Sequence, residues 1–359
     1  MNKAEKQPLR EAVYLASLAT ATPPYSVPQG YAKEVLSRRF AGTLTNRSLA
    51  ILQMLFDHPS IKQRHFAHED PEQILNETPD ERIARFTRWA VDLSAEAATK
   101  ALASANIDIS SVSGLVVNTC TGYLCPGIST YLIERMGLHR TTQVYDLVGC
   151  GCGGAVPNLQ VAGALLHGIP DGVVVSISVE ICSATFQIDN TLSLLVSNAL
   201  FGDGAAAAVL WRRPSGLELI ASSSYYAPEH REAIRYVHKN GQLYNQLSMQ
   251  LPNLVKDAAA EVVDALLTPR ELRTRDIPHW AIHTGGEKIL NSVRDKLGLE
   301  EVQLKASRNI LEHYGNISSP TVLYALNEII GGGLKAGELC MMVAFGAGLS
   351  AHAMLLEKK

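Results

Sequence analysis

The sequence has no stretch of about 18 apolar residues free of charge, so no membrane-spanning helix is expected. An excess of one charge is missing too. Lys and Arg number 32 against 35 Asp and Glu, a net charge of -3, which excludes the broad basic footprint of a nucleic-acid binder. A phosphate-bearing small ligand is not excluded, since a local basic patch suffices. Metal signatures are lacking: there is no CxxC pair and no HExxH. Of the cysteines at 120, 125, 150, 152, 182 and 340 only Cys150 and Cys152 are close, and the glycines around them favour a turn over a ligand pair. No metal is expected. A chain of 359 residues needs no disulfide staples, so the six thiols are expected to be free. The opening MNKAEKQPLR mixes acidic and basic residues ahead of a short apolar run, unlike a secretory leader, and a cytoplasmic protein is expected.

What is present is 47% hydrophobic residues and 19% charged, the balance of a packed globular enzyme. The region up to about residue 110 reads as mostly helical, after a first strand in AVYLASLATATPP, with one long Ala-rich helix over 84–107. From there strands and helices alternate: strand 113–120, helix 127–137, strand 142–147, a glycine turn 149–154, helix 155–168 and strand 172–180. A similar alternation returns in strand 279–286, helix 287–298, a helix holding 309–312, helix 319–333, and two apolar strands over 339–348 and 349–356. This is an α/β layout with strands buried on both faces, and it divides into two similar halves near Trp211–Pro214.

Four segments could carry chemistry. In DLVGCGCGGAVPNLQVA, glycines at 149, 151, 153 and 154 permit a sharp turn between strand and helix. A cysteine held there, at the positive end of a helix, meets two needs of a nucleophile: exposure to substrate and a thiolate-favouring field. On the residues alone Cys152 and Cys150 both qualify, and a buried structural thiol is the plain alternative. His283, in WAIHTGG, puts an imidazole where a buried strand calls for Val or Ile. It could support a thiolate or point an N–H at a carbonyl oxygen, or simply bond to backbone. Asn316, in EHYGNISSP, reads as a helix cap or as a neutral amide donor to an oxyanion. Phe201, in NALFGDGAAAAVL, precedes a Gly-Asp-Gly turn and reads as core.

Taken together these segments resemble the type III polyketide synthases, the chalcone-synthase-like enzymes of the thiolase superfamily, from about residue 10 to the end. GCGCGGA is similar to that family's nucleophile segment, LFGDGAAA to its phenylalanine loop, IHTGG to its histidine segment and YGNISS to its asparagine segment; AFGAGLS resembles its closing motif, with Ala344 and Ala347 where Gly and Pro are usual. The resemblance implies a five-layer αβαβα thiolase-like fold with central mixed sheets covered by helices. It implies an amino-terminal half, 1–213, carrying the nucleophile and a carboxy-terminal half, 214–359, carrying His and Asn. Its register places the nucleophile at Cys152, the oxyanion pair at His283 and Asn316, and the gate between pantetheine tunnel and cavity at Phe201. It puts Cys120, Cys125, Cys182 and Gly241 at cavity positions, and leaves Lys62 and Arg64 as basic residues for coenzyme A.

The implied reaction loads an acyl-CoA starter on cysteine and extends it with malonyl-CoA by decarboxylative Claisen condensation. No permanently bound cofactor is implied, since the thioesters bring the activation, and a homodimer is implied by the relatives. Cysteine at 120 and 182 makes the cavity wall less polar than threonine would. An aliphatic starter is therefore expected, giving an alkylpyrone or alkylresorcinol type of product. The alternatives are a tetrahydroxynaphthalene-type synthase using malonyl-CoA alone, or a 3-ketoacyl-CoA synthase making one extension.

Overall fold

The computed structural model describes residues 12–359; the first eleven, with most of the charged amino-terminal stretch read above, lie outside the described residues. In chain order the strands are β1 (Tyr14–Ala21), β2 (Tyr25–Pro28), β3 (Gln63–Phe66), β4 (Val112–Asn118), β5 (Gln143–Leu147), β6 (Val173–Ile181), β7 (Asp203–Trp211), β8 (Leu217–Tyr226), β9 (Ile234–Lys239), β10 (Gln242–Leu247), β11 (His279–Ile282), β12 (Leu339–Gly346) and β13 (Ser350–Lys358). The helices are α1 (Gln29–Arg39), α2 (Asn46–Phe56), α3 (Pro79–Ser104), α4 (Ile128–Met136), α5 (Ala155–Gly168), α6 (Leu192–Leu200), α7 (Leu251–Leu267), α8 (Glu287–Leu297), α9 (Lys305–Tyr314) and α10 (Thr321–Gly331).

Local chemistry sets several boundaries. The long helix α3 starts at a reciprocal cap, with the Thr78 hydroxyl accepting the Glu81 N–H while the Glu81 carboxylate accepts the Thr78 N–H. Helix α4 stops at Gly137, which takes the left-handed conformation (φ 67) open to glycine. Strand β6, VVVSISVEI, is buried along its whole length, because helices cover both faces of the sheet.

Nine strands join in one sheet, in the order β11-β12-β13-β8-β1-β7-β6-β4-β5. The two expected central sheets thus meet, through a short antiparallel pairing of Tyr14 and Leu15 in β1 with Glu218 and Leu217 in β8. Alternate residues of each strand serve different layers. In β12, Met342 and Ala344 pack inward with α5 and α10, whereas Met341, Val343 and Phe345 pack outward under α7 and α8. In β6, Val174 joins the inner cluster while Val175 and Ile177 face α3 and α4. The layers therefore run α3/α4, sheet, α5/α10, sheet, α7/α8, which is the five-layer arrangement expected.

Two details differ from the reading of the sequence. The amino-terminal part holds the expected first strand, β1, in the middle of the large sheet, but also a short pair, β2 with β3, where helix was expected. The Gly-Asp-Gly segment is not a turn: Asp203 and Gly204 already belong to β7. Asp203 accepts N–H bonds from Ala67 and Ser183, and that anchoring holds the strand start inside the core. No helix among the described residues is long and apolar enough to cross a membrane.

Candidate active site

Strand β5 runs into a sharp turn and a single 3-10 turn, Gly151–Gly153, before α5 begins. Gly151 adopts φ +55, and the turn leaves Cys152 at the helix entrance, only 8% exposed. Strand β12 abuts this turn so closely that a side chain at Gly346 would collide with the backbone of Cys150, Cys152 and Gly153. Cys152 lines an enclosed cavity with Cys120, Phe201, Ile234, Tyr236, Asn245 and Leu247. Cys150 does not line it; its half-buried thiol is pushed up in pKa by burial.

Asn316 follows α9 and precedes α10. Helix α10 begins only at Thr321 and has no side-chain cap, so Asn316 does not cap it. Its Oδ1 instead accepts the Ser318 N–H at 2.8 Å, which leaves the amide NH2 uncommitted to that turn. Ser318 itself sits at φ 56, a left-handed conformation unusual for a residue with a side chain. Its hydroxyl lies 3.2 Å from Cys152 Sγ, 3.4 Å from Cys120 Sγ and 3.4 Å from Glu180 Oε1. One hydroxyl has one proton, so Ser318 can donate to either the sulfur or the carboxylate at a time. Asn316 and Cys152 are thereby joined through one residue. Phe201 and Asn316 also form an isolated parallel bridge, with Asn316 N–H donating to Leu200 and Gly202 N–H donating to Asn316.

His283 extends the line of β11, its N–H donating to Val343 of β12. The ring is 1% exposed and packs edge-on against Phe345, the neighbour of Gly346. Nδ1 is buried without a partner, which keeps the imidazole free for another group. The protonation states depart from the thiolate expected at a helix entrance. Burial pushes the Cys152 thiol up to about 12 and holds the His283 imidazole down to about 3. Desolvation thus favours the neutral form of each group over the charged one.

Glu180 ends β6 as a fully buried carboxylate, raised in pKa by that burial and steadied by donors. It accepts from Ser319 Oγ at 2.6 Å, Cys120 N–H at 2.9 Å, Thr121 N–H at 3.1 Å and Thr121 Oγ1 at 2.9 Å. The loop bearing Cys120 is thus tied to the loop bearing Ser318. Glu180, Ser318, Tyr236 and Asn245 were not singled out in the sequence. A carboxylate near the end of the strand VVVSISVE, uncharged up to that point, was the one readable signal among them.

A second, apolar cavity lies behind Phe201, lined chiefly by Val27, Val35, Leu36, Ile74, Phe186 and Leu194. Phe201 and Asn245 line both cavities and so form the partition between them. Cys182 lines this second cavity rather than the first. Cys125 is exposed, on the loop before α4. Two expected positions require correction. Gly241 sits at the tip of the β9–β10 hairpin with open space around it, because the tight turn carries it away from both cavities; Tyr236 and Asn245, along the hairpin strands, line the wall instead. Arg64 is 2% exposed and buried among aromatic rings, out of reach of a coenzyme in solvent. Lys62 is exposed and paired with Glu312. All six thiols are free, and the described residues hold no group of three metal-ligating side chains.

Comparison with known proteins gives the family and the fold. Residues 218–358 match the family model of the carboxy-terminal domain of chalcone and stilbene synthases, and residues 6–221 match that of FAE1/type III polyketide synthase-like proteins. A 3,5-dihydroxyphenylacetyl-CoA synthase of Streptomyces toyocaensis is 31% identical over 294 residues, covering 79% of this chain and 75% of the relative. A 1,3,6,8-tetrahydroxynaphthalene synthase of Streptomyces peucetius subsp. caesius is 28% identical over 96% of this chain and 92% of its own. The crystal structure of PKS-I from the brown alga Ectocarpus siliculosus superimposes with a TM-score of 0.89 at 25% identity, over 98% of this chain and 100% of that one.

Proposed function

This chain belongs to the type III polyketide synthase family, the decarboxylating condensing acyltransferases, and from that premise we propose that Cys152 carries the growing acyl chain while His283 and Asn316 stabilise the oxyanions. The observation that supports this most directly is the hydrogen bond from Ser318 to the sulfur of Cys152, a cavity-lining residue, with Asn316 bonded to the same serine. Cys152 sulfur attacks the thioester carbonyl of the starter, its proton passes to the neutral His283, and coenzyme A leaves as thiol on taking a proton back. Malonyl-CoA then loses carbon dioxide. The C–C bond electrons become an enolate, whose oxygen takes hydrogen bonds from His283 and from the Asn316 amide. The enolate carbon attacks the acyl-cysteine carbonyl, forming the new C–C bond, breaking the acyl–sulfur bond and releasing the Cys152 thiolate. The extended chain is then a coenzyme A thioester, and attack by Cys152 on it, with coenzyme A leaving as thiol, reloads the chain for the next extension. The substrates are the acyl-CoA starter and malonyl-CoA. Lys62, exposed near the edge of β3, is our candidate for a coenzyme A phosphate contact. Residues 1–213 and 214–359 are proposed as the two functional halves.

For the starter, the Cys152 cavity favours a short acyl unit and a compact aromatic product. Its volume is about 30 Å³, far below that of ordinary ligand sites, so a long starter does not fit without rearrangement. The Tyr236 ring lines it, its hydroxyl held at 3.3 Å by Thr185. The two Streptomyces synthases named above, for 3,5-dihydroxyphenylacetyl-CoA and 1,3,6,8-tetrahydroxynaphthalene, also have aromatic products. A longer aliphatic starter, the reading from the cysteine-lined wall, has one specific observation in its favour: the apolar cavity behind Phe201, about 80 Å³ against about 30 Å³ at Cys152. A panel of acetyl-, hexanoyl-, palmitoyl-, benzoyl- and coumaroyl-CoA, together with malonyl-CoA alone, separates these. The expected result is product from malonyl-CoA alone or with acetyl-CoA, and gain of hexanoyl-CoA turnover in Tyr236→Ala. A kcat/KM that climbs with each methylene in the wild-type enzyme would reverse the order.

A homodimer is also proposed. Strand β5 forms an edge of the large sheet, and Tyr145, Val148 and Tyr123 stand exposed on it or beside it, Tyr123 at 74%. Uncovered, such an edge is a liability. Cys125 lies exposed on the same loop as Tyr123, and on this reading it would meet the second copy. Light scattering at micromolar concentration should return twice the chain mass; a value near 38.9 kDa would refute it.

A further inference from the structure

The side chain of Arg64 is wholly buried yet belongs to no step above. Its Nε donates to Gln29 Oε1 at 2.8 Å, and its Nη1 donates to the carbonyls of Asn198 and Phe201, both at 2.7 Å. The guanidinium lies over the rings of Phe56 and Phe66, at 5.4 and 5.0 Å. Gln29 Nε2 returns a bond to Ala199 O, so α1 and the end of α6 are clamped from two sides. The stem of the same arginine touches both segments of the site. A side chain at Gly315, just before Asn316, would come within 2.9 Å of Arg64 Cγ, and one at Gly202, just after Phe201, within 3.4 Å of Arg64 Cβ. Gly315 also holds φ +69, which reserves the position for glycine.

We propose that Arg64 is a positioning residue for chain-length control: it pins the Phe201 carbonyl and the Gly202 and Gly315 backbone, so that the Phe201 ring stays between the two cavities. The proposal rests on the polyketide synthase reading and deepens it. A fixed partition confines the growing chain to the small cavity at Cys152. A released partition joins that cavity to the apolar one behind it, and the chain can lengthen before it cyclises. A fork of donors is what the site uses. Lysine keeps the charge but offers a point donor that cannot reach Gln29, Asn198 and Phe201 together.

The test compares wild type, Arg64→Lys, Arg64→Met and Gln29→Leu, with thermal unfolding beside product mass spectra and Cys152 acylation rates. In folded variants acylation should stay within roughly threefold of wild type, because Cys152 is untouched, while the ratio of longer to normal products rises by roughly fivefold or more. Adding millimolar guanidinium to Arg64→Met should bring that ratio back toward wild type. Unchanged product ratios in folded variants overturn the proposal, as does activity falling only in step with folded fraction. If the Arg64 variants do not fold, Gln29→Leu decides, since it removes one acceptor and leaves the arginine: wild-type ratios there also overturn it. A wild-type enzyme that makes no polyketide would sink the underlying reading, and the proposal with it.

Discussion

Replacing Cys152 with alanine should remove acyl loading and polyketide formation together, to below roughly a thousandth of the wild-type rate, as expected when a covalent nucleophile is lost. Cys150→Ala should load within a few-fold of wild type. The two thiols differ by two positions in sequence but not in what they face. Cys152 lines the enclosed cavity and accepts the Ser318 hydroxyl, whereas Cys150 lies half-buried on the approach of β13 and β8, near Tyr226. Burial also sets how Cys152 reacts. With its pKa pushed up to about 12, the free thiolate is scarce at neutral pH. Alkylation by a neutral reagent should therefore be slow, and acylation by a thioester should depend on His283 taking the proton as the bond forms. Loss of loading in Cys150→Ala alone, with Cys152→Ala still acylated, would move the nucleophile to the other thiol.

The second large effect is expected at the malonyl half-reaction. Asn316→Ala should spare starter loading and slow carbon dioxide release by about a hundred- to a thousand-fold, near 3 kcal/mol, the usual cost of one oxyanion donor. Asn316→Asp keeps the size but places a carboxylate toward the enolate and should be at least as damaging. His283→Ala should impair loading as well as decarboxylation, since one imidazole serves both. The pH dependence has a stated direction. Burial lowers the His283 pKa to about 3, so below its unfolded value near 6.5 the unfolded chain binds a proton that the folded site refuses. Stability from this residue is complete above about pH 6.5 and is lost as pH falls toward 3. Decarboxylation should then show no imidazole inflection near 6.5, which is checked by carbon dioxide release across pH 5 to 8 in roughly half-unit steps. Wild-type release by Asn316→Ala would leave Asn316 with its turn alone.

Much of the fold was legible because its signals are local. The alternation of buried strands and helices from Val112 to Ile181 follows from β-branched runs, from Gly137 as a stop and from the glycine turn before α5. Cys152 and His283 stood out locally, a thiol among glycines and an imidazole ending a buried strand, whereas Asn316 and Phe201 had ordinary readings and were singled out through the resemblance of their segments. What stayed hidden depends on contacts between distant segments. Arg64 looked like a surface cation, because nothing in the local sequence IKQRHF shows that Phe56, Phe66 and Gln29 enclose it. Gly241 looked like a cavity position, but a hairpin register decides which residues face inward, and β9 pairing with β10 sends Tyr236 and Asn245 there. Ser318 sat two residues from a chosen asparagine and was passed over, since serine near a helix start is ordinary until Cys152 is found beside it.

The central claim is that one thiol, Cys152, takes up the chain again after each extension. Intact-protein mass spectrometry of enzyme quenched within its first turnovers, after mixing with malonyl-CoA with and without a starter thioester, tests it most directly. The expected spectrum shows the free chain and a series of adducts spaced by one C2H2O unit, with digestion placing every adduct on the peptide that holds Cys152. A series on another residue, or steady product formation with no covalent adduct at any quench time, would contradict it.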